Sequence, residues 1–241
     1  MKIESLQNEH VKELAKLKEK KYRDQEGLFL VEGDHLVKEA LKYASVKEVL
    51  SLEKKEIPVL NTLVTEAILK KISSQVSPPQ EIAVVEKLKE LPLKGDILFL
   101  DGIQDPGNLG TIIRSAVAFH LKNIVLSTTC VDVYNEKVIR STEGMIFQVN
   151  IVRRETETFL KQIKSQGYRV YGSDVVKGTC LEHLDFQGDN CFIIGSEGMG
   201  MSLTARNYCD QNFYIPMSKS CESLNAGVAS SILLYERSKH L

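Results

Sequence analysis

Ile97-Leu98-Phe99-Leu100-Asp101-Gly102-Ile103-Gln104-Asp105-Pro106-Gly107-Asn108-Leu109-Gly110 begins with four consecutive apolar residues and then turns polar. A short continuous apolar run closed by turn residues fits a strand buried on both faces. The pattern recurs at Asn123 to Leu126, Arg169 to Tyr171, Cys191 to Ile194 and Phe213 to Ile215, with helical stretches between. Such alternation predicts an α/β fold with a mainly parallel sheet covered by helices on both faces. Its ligand site is expected beyond the carboxyl ends of the strands.

Upstream of this pattern, Lys87 to Gly95 is charged and contains Pro92 and Gly95, which marks a domain boundary near residue 92. The chain is therefore read as two domains, 1–92 and 93–241. In the first, residues 8–23 read as one helix, with Asn8 as N-cap and Val11, Leu14 and Leu17 on its apolar face. Between Lys12 and Arg23 stand six basic residues (Lys12, Lys16, Lys18, Lys20, Lys21 and Arg23) against two acids, Glu13 and Glu19. This is either an ordinary solvated face or a phosphate-binding one. Strands are expected at Leu28 to Val31, Val46 to Ser51, Pro58 to Leu60 and Ile82 to Val85, with helices from Asp34 and from Thr65 to Ile72. The result is a compact α/β unit smaller than the second.

Composition narrows the class. The 241 residues carry 31 basic and 32 acidic side chains, so no overall positive field draws a polyanion and any nucleic-acid site must be a local patch. No apolar run approaches the roughly 20 residues of a membrane span, and the polar start Met1-Lys2-Ile3-Glu4-Ser5 has no secretory core, so a cytoplasmic protein is expected. Five cysteines without a C-x-x-C spacing read as reduced and mostly buried thiols, and the five histidines show no ligand spacing, so no metal is expected.

Three loops carry candidate chemistry. In Asp101 to Gly110, followed by a helix from Thr111, Asn108 and Arg114 can face one crevice; equally, Asn108 caps the helix and Arg114 pairs on the surface. The Lys-Ser/Thr of a phosphate loop is absent, as is G-x-G-x-x-G. The second loop, Gly195-Ser196-Glu197-Gly198-Met199-Gly200-Met201-Ser202, has three glycines that permit close backbone approach, and Glu197 favours a cationic or hydroxyl-bearing ligand over a phosphate. The third runs from Ile215 to Ala229; Ser223 and Asn225 stand at the start of the last helix, either as caps or beside a bound carboxylate. Val228, Ala229, Ile232 and Leu233 form that helix's apolar stripe, read as core.

Taken in order, D-P-G-N-L-G-T-I-I-R-S-A, I-I-G-S-E-G-M-G and I-P-M-S-K-S-C-E-S-L-N-A-G-V-A resemble the three motifs of SpoU-type (TrmH-like) RNA 2′-O-ribose methyltransferases of the SPOUT superfamily. The stretch Asn135 to Phe147, with Lys137, Arg140, Gly144 and Phe147, is similar to that family's intervening segment, so the resemblance spans nearly all of 96–241. Asn8-Glu9-His10-Val11-Lys12, Phe29-Leu30-Val31-Glu32-Gly33 and Ser77-Pro78-Pro79-Gln80 resemble the ribosomal-protein-like α/β substrate-binding domain often fused to these enzymes. Ser196 stands where many members carry Asn, and Thr142-Glu143 where Ser and a small residue are common.

The resemblance implies a trefoil-knotted α/β domain that binds S-adenosylmethionine, with a site completed across a homodimer. It implies donor contacts around Gly195, Ile215, Leu224, Ser223 and Asn225, and roles in catalysis and RNA placement for Asn108, Arg114 and Glu197. RNA contacts are expected at Lys12, Lys16, Lys20, Lys21, Arg23 and Arg140. Because a guanidinium stays protonated at neutral pH, Arg114 is expected to steady the developing alkoxide, with an RNA phosphate taking the proton. The expected activity is ribose methylation of structured RNA, ribosomal RNA ahead of transfer RNA. Methylation of a base nitrogen and non-catalytic RNA binding in ribosome assembly are the competing readings.

Overall fold

The computed structural model describes residues 2–175 and 177–241. In chain order the elements are β1 (Lys2–Ile3), α1 (Glu9–Lys16), α2 (Lys20–Glu26), β2 (Leu28–Glu32), α3 (Asp34–Tyr43), β3 (Val46–Ser51), β4 (Leu60–Val64), α4 (Glu66–Ile72) and β5 (Glu81–Glu86). Then follow β6 (Ile97–Asp101), α5 (Pro106–Ala118), β7 (Asn123–Ser127), α6 (Glu136–Ser141), β8 (Asn150–Arg154), α7 (Thr156–Ser165) and β9 (Arg169–Ser173). The chain continues with β10 (Thr179–Cys180), β11 (Asn190–Gly195), α8 (Leu203–Tyr208), β12 (Gln211–Tyr214) and α9 (Ala226–Ser238). Two compact units result: Met1–Lys89 with Asp132–Phe147, and Glu90–Val131 with Gln148–Leu241. This grouping is not a single cut of the chain, because the segment carrying α6 packs with the first unit.

The first unit holds a five-stranded mixed sheet in the order β1-β4-β3-β5-β2. On one face Val11, Leu14 and Leu17 pack with Ile68, Leu69 and Ile72 of α4 over Leu50, Val64, Ile82 and Val84. Elsewhere in the unit Phe29 meets Tyr134 at 4.7 Å between ring centroids. Asn8 caps α1 as expected, its side chain accepting from the backbone N–H of His10 and Val11. The expected single helix over 8–23 is broken: α1 ends at Lys16 and α2 starts at Lys20. The cause is Arg23, whose Nη1 donates to the carbonyls of Leu17 at 2.9 Å and Lys18 at 2.6 Å, supplying the partners that a helix end leaves unmet. The strand expected at Pro58 to Leu60 lies instead at Leu60–Val64, beyond Pro58, which has no N–H to give a sheet ladder.

In the second unit a seven-stranded sheet runs β10-β12-β9-β11-β6-β7-β8, parallel at every pairing. Ile97, Phe99, Val125, Val170, Cys191 and Ile193 face Phe159, Leu160 and Ile163 of α7 and Ala205 of α8. The alternate residues Leu98, Leu100, Ile124, Leu126, Phe192 and Ile194 are also buried, so both faces are covered. On one side α9 packs on β11 and against α5. Arg237 of α9 closes this packing: its Nε donates to Asp96 Oδ2 at 2.5 Å, while Asp96 Oδ1 accepts from the backbone N–H of Asn190 at 2.9 Å. The inward face of α9 is Ala226, Gly227, Ser230, Leu233, Leu234 and Arg237, which corrects the expected stripe: Val228 is 46% exposed.

Candidate functional site

The carboxyl ends of β9, β11 and β12 open into a cleft of about 440 Å³, lined by Ser173, Ile194, Gly195, Phe213 and Ile215 from the strand ends. Residues from the second and third loops complete it, among them Glu197, Met217, Glu222, Ser223 and Leu224. Gly195 makes the second loop possible. The backbones of Ser196 and Gly200 pair, Ser196 N to Gly200 O at 3.1 Å and Gly200 N to Ser196 O at 2.9 Å. A Cβ on Gly195 would stand 2.1 Å from the carbonyl carbon of Gly200 and 2.2 Å from Met201 N, so any side chain would force this turn open.

The first loop is shorter than the sequence suggested. Pro106 occupies the first turn of α5 and Asp105 is its N-cap, with Oδ1 accepting from Asn108 N at 2.7 Å. Asn108 is thus freed from capping. Its Nδ2 donates to Glu197 Oε1, and its Oδ1 accepts from Asn225 Nδ2 at 2.9 Å. Asn225 caps α9 through Oδ1, which accepts from Gly227 N at 2.9 Å and Val228 N at 3.2 Å. One residue from each loop therefore joins in a single chain, Glu197–Asn108–Asn225, beside the cleft. Gly227 lets α9 approach α5 closely, since a Cβ there would lie 3.2 Å from Thr111 Cγ2.

Three carboxylates, Asp174, Glu197 and Glu222, line the cleft against one guanidinium, Arg206. Arg206 is partly neutralised by Asp174 Oδ2 at 3.3 Å. This charge balance suits a ligand with positive charge. Ile194, Phe213, Ile215 and Leu224 supply apolar wall for a flat ring. The thiols behind β9 and β11 offer no nucleophile: burial pushes Cys191 far above the usual thiol range and Cys209 up to about 11. Cys130 and Cys191 are buried, Cys180 and Cys209 partly so, and Cys221 is exposed, so the thiols are less uniformly buried than expected. Among the described residues no group of three or more metal-ligating side chains is placed to hold an ion.

Of the expected site residues, Gly195, Ile215, Leu224, Ser223 and Glu197 line the cleft, while Asn108 and Asn225 reach it through Glu197. Arg114 does not line it; exposed on α5, it has no hydrogen bond or ion pair to any described residue. In the first unit Lys12 pairs with Glu9 and Lys20 with Asp24, whereas Lys16 and Lys21 lie near the Tyr22 ring. Arg23 departs from the expected basic face: it is 5% exposed and its Nη2 binds Asp132 Oδ2 at 2.6 Å, so it is a structural residue. Arg140 is half-buried, and its Nη1 has no partner among the described residues.

Sequence reasoning missed three supports of the site. Asp101, buried at the end of β6, accepts from Ser202 N at 2.7 Å and so fixes the exit of the second loop. Its signal was present, a carboxylate ending an otherwise apolar strand. Asp174 and Arg206 have no such signal, because each is one charge in an ordinary polar stretch.

Comparison with known proteins agrees with this geometry. Residues 96–235 match the SpoU rRNA Methylase family, and residues 8–83 match the MRM3-like substrate binding domain. The chain is 37% identical over 241 residues to the 23S rRNA (guanosine(2553)-2′-O)-methyltransferase RlmP of Bacillus subtilis, covering 97% of each protein. Among solved structures, the AdoMet-bound rRNA methyltransferase from Sinorhizobium meliloti superposes with a TM-score of 0.89 at 26% identity, covering 100% of this chain and 98% of that one. The SpoU methyltransferase AviRb from Streptomyces viridochromogenes, in complex with AdoMet, gives 0.85 at 26% identity over 97% of this chain and 98% of that one. With the three loops meeting at the carboxyl ends of a parallel sheet and the family match spanning that whole sheet, the chain belongs to the SpoU rRNA methylase family.

Proposed function

We propose that this protein transfers a methyl group from S-adenosylmethionine to a ribose 2′-hydroxyl of ribosomal RNA. The observation that carries the proposal is the Glu197–Asn108–Asn225 chain, which brings one residue of each motif to the mouth of an acid-lined cleft. The residues fit the donor: three carboxylates face a cationic ligand, apolar walls accept an adenine, and the bare backbone at Gly195 permits close approach. When bound, the donor supplies an electrophilic methyl group on a sulfonium.

This chain's own residues would align and stabilise. Glu197 is held by the amide of Asn108, so its carboxylate keeps one orientation at the cleft edge. Arg114 steadies negative charge growing on the ribose oxygen while a neighbouring RNA phosphate takes the proton. Because Arg114 is exposed and has no partner among the described residues, it is best used across a homodimer, serving the partner's cleft. Apolar side chains on the same helices support that pairing: Val228 and Tyr235 are about half exposed, and Phe119 packs edge-on to Tyr235 at 5.7 Å. The trefoil knot belongs to the same reading, supported by the chain's course from β12 past β9 to α9 on β11. The first unit would hold the RNA, in keeping with its substrate-binding match and its lysines. Ribosomal RNA is favoured over transfer RNA by the RlmP relative.

Incubation with total RNA and methyl-labelled donor, followed by nucleoside mapping, tests the proposal. Label in a 2′-O-methyl nucleoside of ribosomal RNA is expected. Label in a methylated base, in transfer RNA alone, or in nothing would overturn it.

A further inference from the structure

The first unit contains a second cavity, of about 270 Å³, lined by His10, Glu13, Leu14, Lys16, Leu17, Tyr22, Gln25, Glu26 and Leu28. We propose that it receives one unstacked nucleobase of the RNA substrate, stacked on Tyr22, with the flanking phosphates held by Lys16 and Lys21. The inference rests on the RNA-methylating reading and adds to it a site distinct from the donor cleft.

The cavity follows from the corner between α1 and α2. Arg23, gripping the Leu17 and Lys18 carbonyls and the Asp132 carboxylate, fixes that corner from below. The corner brings Tyr22 to the same cavity as Leu14, Leu17 and Leu28. His10 forms part of the wall and is itself held by Glu48 Oε2 at 2.6 Å. Lys16 Nζ and Lys21 Nζ each stand 5.7 Å from the Tyr22 ring centroid. Charge is distributed unevenly along this stretch. Lys12 and Lys20 are neutralised by Glu9 and Asp24, but Lys16, Lys18 and Lys21 have no ion-pair partner among the described residues. Two of these unneutralised lysines, Lys16 and Lys21, therefore lie at the aromatic ring.

Lys16 and Lys21 sit over the Tyr22 ring without carboxylate partners among the described residues, and an unstacked base takes that place by displacing an ammonium from the ring towards the flanking phosphates. The volume is below the roughly 300–1,000 Å³ of cavities for drug-sized ligands, which suits one flat ring system rather than a helix groove. Glu13 and Glu26 also line the cavity. They are suited to accept from the amino groups of guanine, adenine or cytosine, as carboxylates do from cytosine in DNA.

The test uses the full chain and short RNA, single-stranded or fully paired, in equilibrium binding, with 6-thioguanosine RNA for photo-cross-linking. Tyr22→Ala should weaken single-stranded RNA about tenfold and duplex less than twofold, whereas Tyr22→Phe should keep both. Lys16→Gln and Lys21→Gln should each lower the salt slope by about one. The cross-link should fall on the peptide bearing Tyr22, a readout that stands even if the alanine variant fails to fold. Unchanged single-stranded affinity in Tyr22→Ala, equal loss on duplex, or a cross-link elsewhere overturns the inference. Competition by polyglutamate without any dependence on Tyr22 would assign the lysines to an acidic protein and also overturn it. If Tyr22→Ala binds and methylates RNA as the wild type does, this inference fails while the methylation reading stands. If the wild type binds no RNA, that reading fails first.

Discussion

Asn225 and Asn108, 117 residues apart in the chain, meet amide to amide, with Asn225 Nδ2 donating to Asn108 Oδ1 at 2.9 Å. The same Asn225 side chain caps α9, so it serves both a helix start and the site. Substitutions separate these roles. Asn225→Ser retains a capping oxygen but is too short to reach Asn108, and kcat should fall about 100-fold with little change in melting temperature. Asn225→Ala should lose the cap as well, costing about 1 kcal/mol and a further shift of about 2–4 °C. Equal kcat in Asn225→Ser and wild type would remove the amide pair from the mechanism.

Arg114, exposed and without a partner among the described residues, invites a mixing experiment. Arg114→Ala should bind donor normally by calorimetry yet be inactive, and Asn108→Ala should be nearly so. With the pairing proposed above, mixing the two inactive variants in equal amounts and letting subunits exchange should restore about one quarter of wild-type activity. No recovery after subunit exchange would mean that each chain uses its own Arg114.

The Arg237–Asp96 pair is buried, with side-chain exposures of 8% and 10%. Arg237→Ala leaves the Asp96 carboxylate with only Asn190 as a partner among the described residues and should lower unfolding free energy by about 3–5 kcal/mol in urea titration. Since this pair anchors α9, the variant should also bind donor less tightly. A loss below about 1 kcal/mol would show that water or relaxation compensates.

Thiol reactivity reports local burial and its pH dependence has a fixed sign. At pH 8 iodoacetamide should modify Cys221 first, because it is exposed. Cys209, with its thiol pushed up to about 11 by burial and then by the neighbouring Asp210, should react faster as pH rises towards that value. Cys191 should stay unmodified until the chain unfolds. Mass spectrometry of peptides after timed labelling decides each point.

The parallel sheet was legible because β6, β7 and β11 are continuous apolar runs, which few other structures require. In contrast, β8 (Asn150–Arg154) ends in two arginines and β10 (Thr179–Cys180) has two residues, so neither shows the pattern of a buried strand. Pro106 and Gly107 read as loop although proline at the first turn favours a helix, and Asp105 rather than Asn108 proved to be its cap. Arg23 sits in a basic run with helical spacing, and its partner Asp132 lies 109 residues away, beyond any local signal. Motif order singled out Asn108, Glu197 and Asn225, which hydrogen bonds join, and Arg114, which lies outside the cleft. Those hydrogen-bond partners were not legible, because loop-to-loop contacts depend on how the strands are ordered in space.

The excursion from Asp132 to Phe147 has a practical outcome for dissecting the molecule. It departs after β7, joins the first unit, and returns before β8, carrying Asp132 to Arg23 and Tyr134 to Phe29. Severing the polypeptide after Lys89 would therefore yield an amino-terminal fragment with a buried cation lacking its counter-ion and an aromatic ring lacking its mate. A recombinant version of that half would need the sixteen-residue excursion spliced back through an artificial tether before it could reproduce its native packing.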